Sequence, residues 1–590
     1  YNYALNLKGD APAQGKMDIS VVNIEENAGQ VPVNYVLPPG VTRIIDPGQS
    51  QITQLNEQAM SLKVTDLQSG DARAVYKNSG MDMRTYKRLQ MFVHAEKLID
   101  DKTNLRDGDV SVFLRLGSDS KSNYYEYEVP LSLTEPGNYS TYNAQDQEAV
   151  WPQSNMFDFP LSLFTDLKLE RNAKKRMDNS TVTFQTRYSS YDPDKNQNKV
   201  TIVGNPSLSD VRTMMIGVRN NSNAAKDIVV WVNEMRLTDF DQSGGWAAKA
   251  NVNLGLSDIA TLNIAGHVET VGFGGIDQSL TERRLDDYYQ YNIATMVELG
   301  RFLPEKVKLK APLFYSITEQ RTSPKYNPLD QDILLKDALD NAGSKAERDS
   351  ISDASIEKST VESFSLSGVS FDIRSKNPMP YDPANFSISY SYNRQSKQDP
   401  TTEFENTYDY RGSFTYSYTP FVKPFVPLKG LKSKSKHLKF LKEWEFNYLP
   451  NNIAFNTNMS RYYYEQQIRD VSGSGGMALP TSVSKSFLWD RQFSLTWNLT
   501  KSINLSLQTM TNAHIEEPVG VVNKQLFPDE YEAWKDTVLT SIKNLGTPWN
   551  YNQTFNASYT APFSKIPVLD YLSFNAKYNA TYTWDRGCLL

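Results

Sequence analysis

The run Phe386-Ser387-Ile388-Ser389-Tyr390-Ser391-Tyr392 places an apolar or aromatic side chain at every second position and a serine between each pair. A period of two is that of a β-strand, whose successive side chains leave opposite faces; a helix would spread these residues around its circumference. A second run repeats the scheme, with Phe414, Tyr416 and Tyr418 set against Ser413, Thr415 and Ser417. One oily, aromatic face and one uncharged polar face is the pattern of a strand standing between lipid and a water-filled lumen. The alternation therefore puts Phe386, Ile388, Tyr390, Tyr392, Phe414, Tyr416 and Tyr418 outward, toward lipid or a hydrophobic partner. It puts Ser387, Ser389, Ser391, Ser413, Thr415 and Ser417 toward the lumen.

Extended along the chain, the same template finds 12 candidate strands near 246–256, 260–270, 291–300, 308–318, 361–373, 384–394, 409–420, 452–463, 487–499, 502–511, 552–561 and 571–584. Ser257-Asp258-Ile259 and Thr500-Lys501 read as tight turns, whereas 271–290, 319–360, 395–408, 464–486 and 512–551 read as long loops. Short turns in the periplasm and long loops outside are the habit of outer-membrane barrels. Residues 245–590 thus predict an arc of about 12 transmembrane strands within a very large antiparallel β-barrel. One connection, 421–451, is long although strand parity puts it on the short-turn side, and it carries Lys429, Lys432, Lys434, Lys436, Lys439 and Lys442. This basic periplasmic turn admits two readings, a solvated turn or a contact for an anionic partner or lipid phosphate. Helices are expected over Leu329–Ala342 and Pro528–Leu545, the latter with Tyr531, Trp534 and Val538 along one face, packed over a pore mouth or among the surface loops.

Upstream of Gly244-Gly245 the texture differs. Leu89–Ala95, Asp109–Leu116, Asn123–Val129, Thr181–Tyr188, Arg212–Arg219 and Ile228–Leu237 are strand-like runs separated by Asp, Gly and Asn turns. They predict an all-β, jelly-roll-like sandwich over 1–240, with helix confined to short connections. Parity also orients it. The strand at 246–256 ends in the tight turn 257–259, so the chain arriving from residue 240 is at the extracellular end, and the sandwich is expected as a cap outside the cell.

The bulk numbers exclude other classes. With 12% aromatic residues, 22% charged residues and a net charge of −6 over 590 residues, the chain is too structured for disorder and too neutral for a nucleic-acid binder. It has no apolar run of about 18 residues for a transmembrane helix. Barrel strands need only roughly 10 alternating residues, so that absence leaves a barrel open. The start at Tyr1 reads as a piece of a longer protein, and the single Cys588 has no intrachain partner. His94, His267, His437 and His514 show no ligand spacing. Asp192, Asp194 and Asn196 imitate a calcium loop, but Gln197 and Val203 stand where Gly and a closing Glu are needed. No catalytic residue, metal or cofactor is expected, and the chain does not read as an enzyme.

Specific segments carry a resemblance: Gly70-Asp71-Ala72-Arg73-Ala74-Val75-Tyr76-Lys77-Asn78, Asp82-Met83-Arg84-Thr85-Tyr86-Lys87-Arg88, Met91-Phe92-Val93-His94-Ala95-Glu96, Val230 to Phe240, Gly244-Gly245-Trp246-Ala247-Ala248 and Trp489 to Leu495. The chain resembles the SprA/Sov family, giant outer-membrane translocons of the type 9 secretion system in Bacteroidota, needed for secretion and, in gliding species, for motility adhesins. The resemblance implies a single-chain barrel of exceptional strand number that passes folded cargo proteins and opens sideways. It also implies partners: outer-membrane lipid, a smaller PorV-like barrel at the lateral opening, a periplasmic plug protein and the secreted cargo, with no nucleic acid. Two other classes compete on residues alone, a TonB-dependent or lipopolysaccharide-type transporter and a secreted carbohydrate-binding sandwich.

Overall fold

The computed structural model describes residues 2–6 (backbone only), 15–43, 54–177, 179–421, 423–428, 430, 442–470, 479–522, 524, 527–566, 569 and 571–587. Lys429, Lys432, Lys434, Lys436, Lys439 and Cys588 lie outside the described residues. The chain forms two compact units, the first made of 1–245, 271–285 and 324–353, the second of 246–270, 286–323 and 354–590.

The first unit contains β1 (Asn2–Asn6), β2 (Lys16–Asn23), β3 (Gln58–Leu67), β4 (Asp71–Met81), β5 (Tyr86–Glu96), β6 (Val110–Gly117), β7 (Tyr124–Pro130), β8 (Phe157–Pro160), β9 (Tyr188–Tyr191), β10 (Lys199–Val203), β11 (Val211–Asn220) and β12 (Lys226–Phe240). They form a seven-stranded sheet, β1-β4-β11-β6-β7-β10-β9, and a five-stranded sheet, β2-β3-β12-β5-β8. The orders β4-β11-β6-β7 and β3-β12-β5-β8 are those of an eight-stranded jelly roll, with the remaining strands added at the edges. Strand alternation supplies one core: Val110, Val112, Leu114 and Leu116 from β6 meet Leu89, Met91 and Val93 from β5 and Ile228, Val230 and Val232 from β12. Full burial of each such side chain contributes about 1.5–3 kcal/mol relative to exposure. Gly217 is required on the outer side, because a Cβ there would lie 2.3 Å from Phe113 Cζ.

Two local expectations change. Thr181–Tyr188 is not a strand; ladder pairing begins only at Tyr188, in β9. Helix is also not confined to short connections: besides α1 (Ala144–Val150), α2 (Ser162–Lys175) spans 14 residues and puts Phe164 and Leu167 into the core.

The second unit is built from β13 (Ala247–Leu256), β14 (Ala260–Glu269), β15 (Asp286–Glu298), β16 (Leu309–Lys310), β17 (Pro312–Pro324), β20 (Glu357–Phe371), β21 (Phe386–Gln398), β22 (Thr402–Tyr418), β23 (Asn452–Ile468), β24 (Ser482–Asn498), β25 (Ile503–His514), β26 (Thr547–Thr560) and β27 (Asn575–Asp585). Apart from β16, which pairs β20, they lie side by side in chain order. The pairings run antiparallel throughout, as the connection lengths allow. Each of the twelve sequence windows overlaps one of these strands. At β20 an extra residue enters between Leu366 and Val369, where Gly368 takes φ +61 and donates its N–H to Ser389 Oγ at 2.8 Å, a β-bulge of the kind that needs glycine.

The expected length contrast between the two strand ends is weaker than predicted. The loop expected at 395–408 is a tight turn, because Asp399 Oδ1 accepts the N–H groups of Thr401 (2.9 Å) and Thr402 (2.8 Å) and the ladder runs on to either side. At the opposite end 299–311, 372–385 and 561–574 are of moderate length, as 419–451 is long.

The chain passes between the units five times, and with antiparallel strands every passage falls at the strand ends opposite the tight turns 257–259 and 499–502. The 324–353 stretch is held firmly in the first unit. It forms the hairpin of β18 (Tyr326–Asn327) and β19 (Asp330–Leu334), then α3 (Leu335–Asp340) and α4 (Lys345–Ser355), whose last residues belong to the second unit. Lys168 of α2, fully buried, donates to Asp332 Oδ1 (2.8 Å), to Pro206 O (2.8 Å) and to Asp330. Tyr125 closes the cluster by donating to Asp332 Oδ2 at 2.5 Å. Burial, offset by Lys168 but reinforced by Asp332, pushes the Asp330 carboxyl up to about 6. Lys325 meets Asp241 at 2.7 Å, and this hydrogen bond, with those from Ser243, holds the Asp241 carboxyl down at about 2.

Candidate functional site

The register of the second unit sorts its side chains onto two faces. Phe386 pairs Tyr416 and Ile388 pairs Phe414; Tyr416 then pairs Phe455, Phe455 pairs Phe493, and Leu495 pairs Leu507. Leu507 continues to Phe555, and Ala557 to Tyr578. In the other direction Tyr390 pairs Leu366, which pairs Leu313. Tyr291 donates to Glu319 on β17 (3.1 Å), carrying the face to Ile293, Ile264 and Val252. The reverse side runs Ser389, Ser413, Asn458, Asp490 across β21 to β24 and Ser494, Gln508, Thr554, Thr581 across β24 to β27. One side is therefore mainly aliphatic and aromatic, the other mainly hydroxyl and amide with carboxylates such as Asp490 among them.

Contacts along the apolar side are modest. Phe386 and Tyr416 rings lie 5.1 Å apart and Tyr392 and Tyr410 rings 5.0 Å apart, and such cross-strand pairs contribute about 0.2–1 kcal/mol each. They leave much of the face bare: Ile388 is 55% and Tyr390 42% exposed within this chain. A soluble monomer rarely leaves more than a few hundred Å² of contiguous apolar surface uncovered, so a face of this breadth calls for an apolar surrounding.

The ends of that face are covered by the chain itself. Tyr416 and Tyr418 donate to the carbonyls of Pro380 (3.0 Å) and Pro378 (3.2 Å). Tyr418 is thereby buried beneath the 372–385 segment, on the apolar side but without open exposure. At the other end α5 (Pro528–Lys543) and its flanks fold down on the apolar side, not over the polar one. Arg461 and Lys485 occupy that side by register, next to Tyr410 and Tyr463. Glu517 takes Arg461 Nε at 2.9 Å and the indole N–H of Trp534 at 2.7 Å, the Arg461 guanidinium lies 4.9 Å from the Trp534 ring, and Lys485 donates to Pro518 O at 2.7 Å. Sequence reading missed this contact, although a cation at a strand position of the apolar face was its signal: a charge set among apolar side chains demands a partner.

Ser387, Ser389 and Ser391 share the polar side with Ser413, Thr415 and Ser417, as their register pairs show. Of the basic turn, Lys442 alone is among the described residues. His94 is buried in the sandwich, with Nδ1 2.8 Å from Val150 O and its ring centroid 4.0 Å from that of Trp231 at a tilt of 30°, a packing role. Asp192 spends its carboxylate on Tyr127 OH (2.6 Å) and on the N–H of Asp194 (2.9 Å), an ordinary Asp turn.

No curated protein matches the chain. A family model described as motility related/secretion protein matches residues 1–339, the whole jelly roll with the first strands of the sheet and the hairpin between β17 and β20. That match covers more than half of the sequence and agrees with the resemblance carried by the segments between Gly70 and Phe240, so the chain belongs to the SprA family of motility-related and secretion proteins.

Proposed function

We propose that the second unit is part of the wall of a protein-conducting outer-membrane barrel, the translocon of the type 9 secretion system, with its apolar side on lipid and its polar side lining an aqueous passage for folded cargo. The observation that carries the reading is the register-built division of twelve consecutive antiparallel strands into one apolar and one polar face. Strands of 17 residues, as in β22 to β24, exceed the roughly 9–11 needed to cross a bilayer, and the surplus stands in water. Family membership gives a secretion- or motility-related function; conduction, the outer membrane, the PorV-like and plug partners, and the extracellular jelly roll belong to the proposal. The tight turns 257–259 and 499–502 face the periplasm by the habit of such barrels, which puts every passage into the jelly roll outside.

A membrane-impermeant thiol label tests the arrangement. In a Cys588→Ser background, intact cells carrying Asp194→Cys should label, and those carrying Lys501→Cys should label only after the outer membrane is opened. The reverse pattern overturns the orientation, and equal labelling of both in intact cells overturns the membrane wall.

A further inference from the structure

The tight turn 499–502 is not bare. Asn447 donates its backbone N–H to Leu499 O (2.9 Å) and its side-chain amide to Asn498 O (2.6 Å), and Trp497 Nε1 donates back to Asn447 O (2.8 Å). The strip 443–447 is thereby fixed along the turn, and Phe446 makes a further two-bond bridge with Phe425, both at 2.9 Å. Between this strip, the turn and the 559–565 segment lies a cavity of about 450 Å³. Its apolar lining includes Trp444, Leu499, Ile503 and Tyr559, and Ile503 and Tyr559 are paired residues of the apolar side of the sheet. Its polar lining includes Thr500, Ser502 and two ion pairs, Lys501 with Glu445 at 2.6 Å and Lys565 with Glu443 at 2.8 Å.

We propose that this cavity binds a phospholipid whose headgroup carries both a phosphate and a primary ammonium. The inference rests on the membrane-wall reading above. Each lysine ammonium has three donors and gives one to its glutamate, which leaves donors for phosphate oxygens; the Glu445 carboxylate likewise retains acceptor capacity for a ligand ammonium. A purely anionic headgroup would meet both glutamates, and a purely cationic one both lysines, whereas a zwitterion satisfies both signs. Trp444 is 45% and Tyr559 40% exposed, amphipathic rings of the kind that sit at headgroup level, and Ile503 and Leu499 offer the acyl chain an oily floor continuous with the wall.

The test uses the full chain reconstituted in bilayers with a photoactivatable acyl-chain probe in two forms, phosphatidylethanolamine and phosphatidylglycerol, followed by peptide mapping. Adducts of both probes on 386–392 report the wall itself. The proposal expects adducts at 444, 503 or 559 several-fold more abundant with phosphatidylethanolamine, and that preference lost in the double variant Glu443→Gln, Glu445→Gln while the 386–392 adducts persist. Equal labelling of the cavity by both probes, or a preference that survives the double variant, overturns the site and leaves the wall standing. Absence of adducts at 386–392 overturns the wall reading and the site together.

Discussion

Lys168 illustrates how one side chain can hold distant chain segments together. Its ammonium sits fully buried among Asp330, Asp332 and Pro206 O, more than 160 residues away in the first case. Replacing it with methionine leaves two carboxylates without their cation, and breaking a buried pair in this way costs about 3–5 kcal/mol. Hydrogen exchange at 326–334, corrected for intrinsic rates, should show hairpin opening favoured accordingly; unchanged protection would contradict the role. The pH dependence has a defined sign. Because the folded Asp330 carboxyl is raised to about 6, its contribution is fully present below the ordinary carboxylate range and is lost as pH rises through about 6. Asp330→Asn should flatten that part of the profile while Asp332 keeps Lys168 paired. On the wall, arginine at Ile388 or Tyr390 should cost about 2–4 kcal/mol near mid-bilayer, and much less at Ser389, measured as assembled protein in membranes. Equal tolerance at the two sets would refute the assignment of faces. The two-residue alternation of 386–392 made those faces legible in the sequence, because a period needs only neighbours. The Lys168 cluster was illegible, since its anions arrive from a loop that the sequence attached to a different unit.

Among elements, the 515–546 connection carries the clearest consequence. Its helix α5 covers Arg461 and Lys485 through Glu517, Trp534 and Pro518 O. Glu517→Gln should weaken a charge-assisted contact by about 1–3 kcal/mol and release the helix, read as faster limited proteolysis within 528–543 at unchanged total assembly. An unchanged cleavage rate would mean that Glu517 is not what holds it. The helix itself was readable from Tyr531, Trp534 and Val538; where it docks was not, because amphipathicity names a face and not its partner. The turn at 399–401 was missed for a related reason. Toward this turn the strand ends carry Arg394, Lys397 and Glu405 in place of apolar residues, so the period that marks a strand fades before the ladder ends. Asp399-Pro400-Thr401 held the turn signal all along.

For the whole molecule, the jelly roll and the strand series were each visible as fold classes, whereas the division of the chain was not: short polar stretches at 271–285 and 324–353 give no sign of which unit they join. The ends of the sheet bear on how it is completed. β13 and β27 each have one neighbour among the described residues, and unpaired backbone groups in hydrocarbon cost several kcal/mol each. Residues 245–590 expressed alone should therefore aggregate; recovery of a monomeric, heat-modifiable barrel from that fragment would contradict this. The hairpin clasp adds a consequence in time. Synthesis reaches residue 240 with every jelly-roll strand made, yet Lys168 and Tyr125 have no anions to receive them until Asp330 and Asp332 emerge, after β13, β14, β15 and β17. The buried cluster of the jelly roll is thus completed only after the chain that forms β13, β14, β15 and β17 has been made, so the order of synthesis sets the order in which the first unit can close.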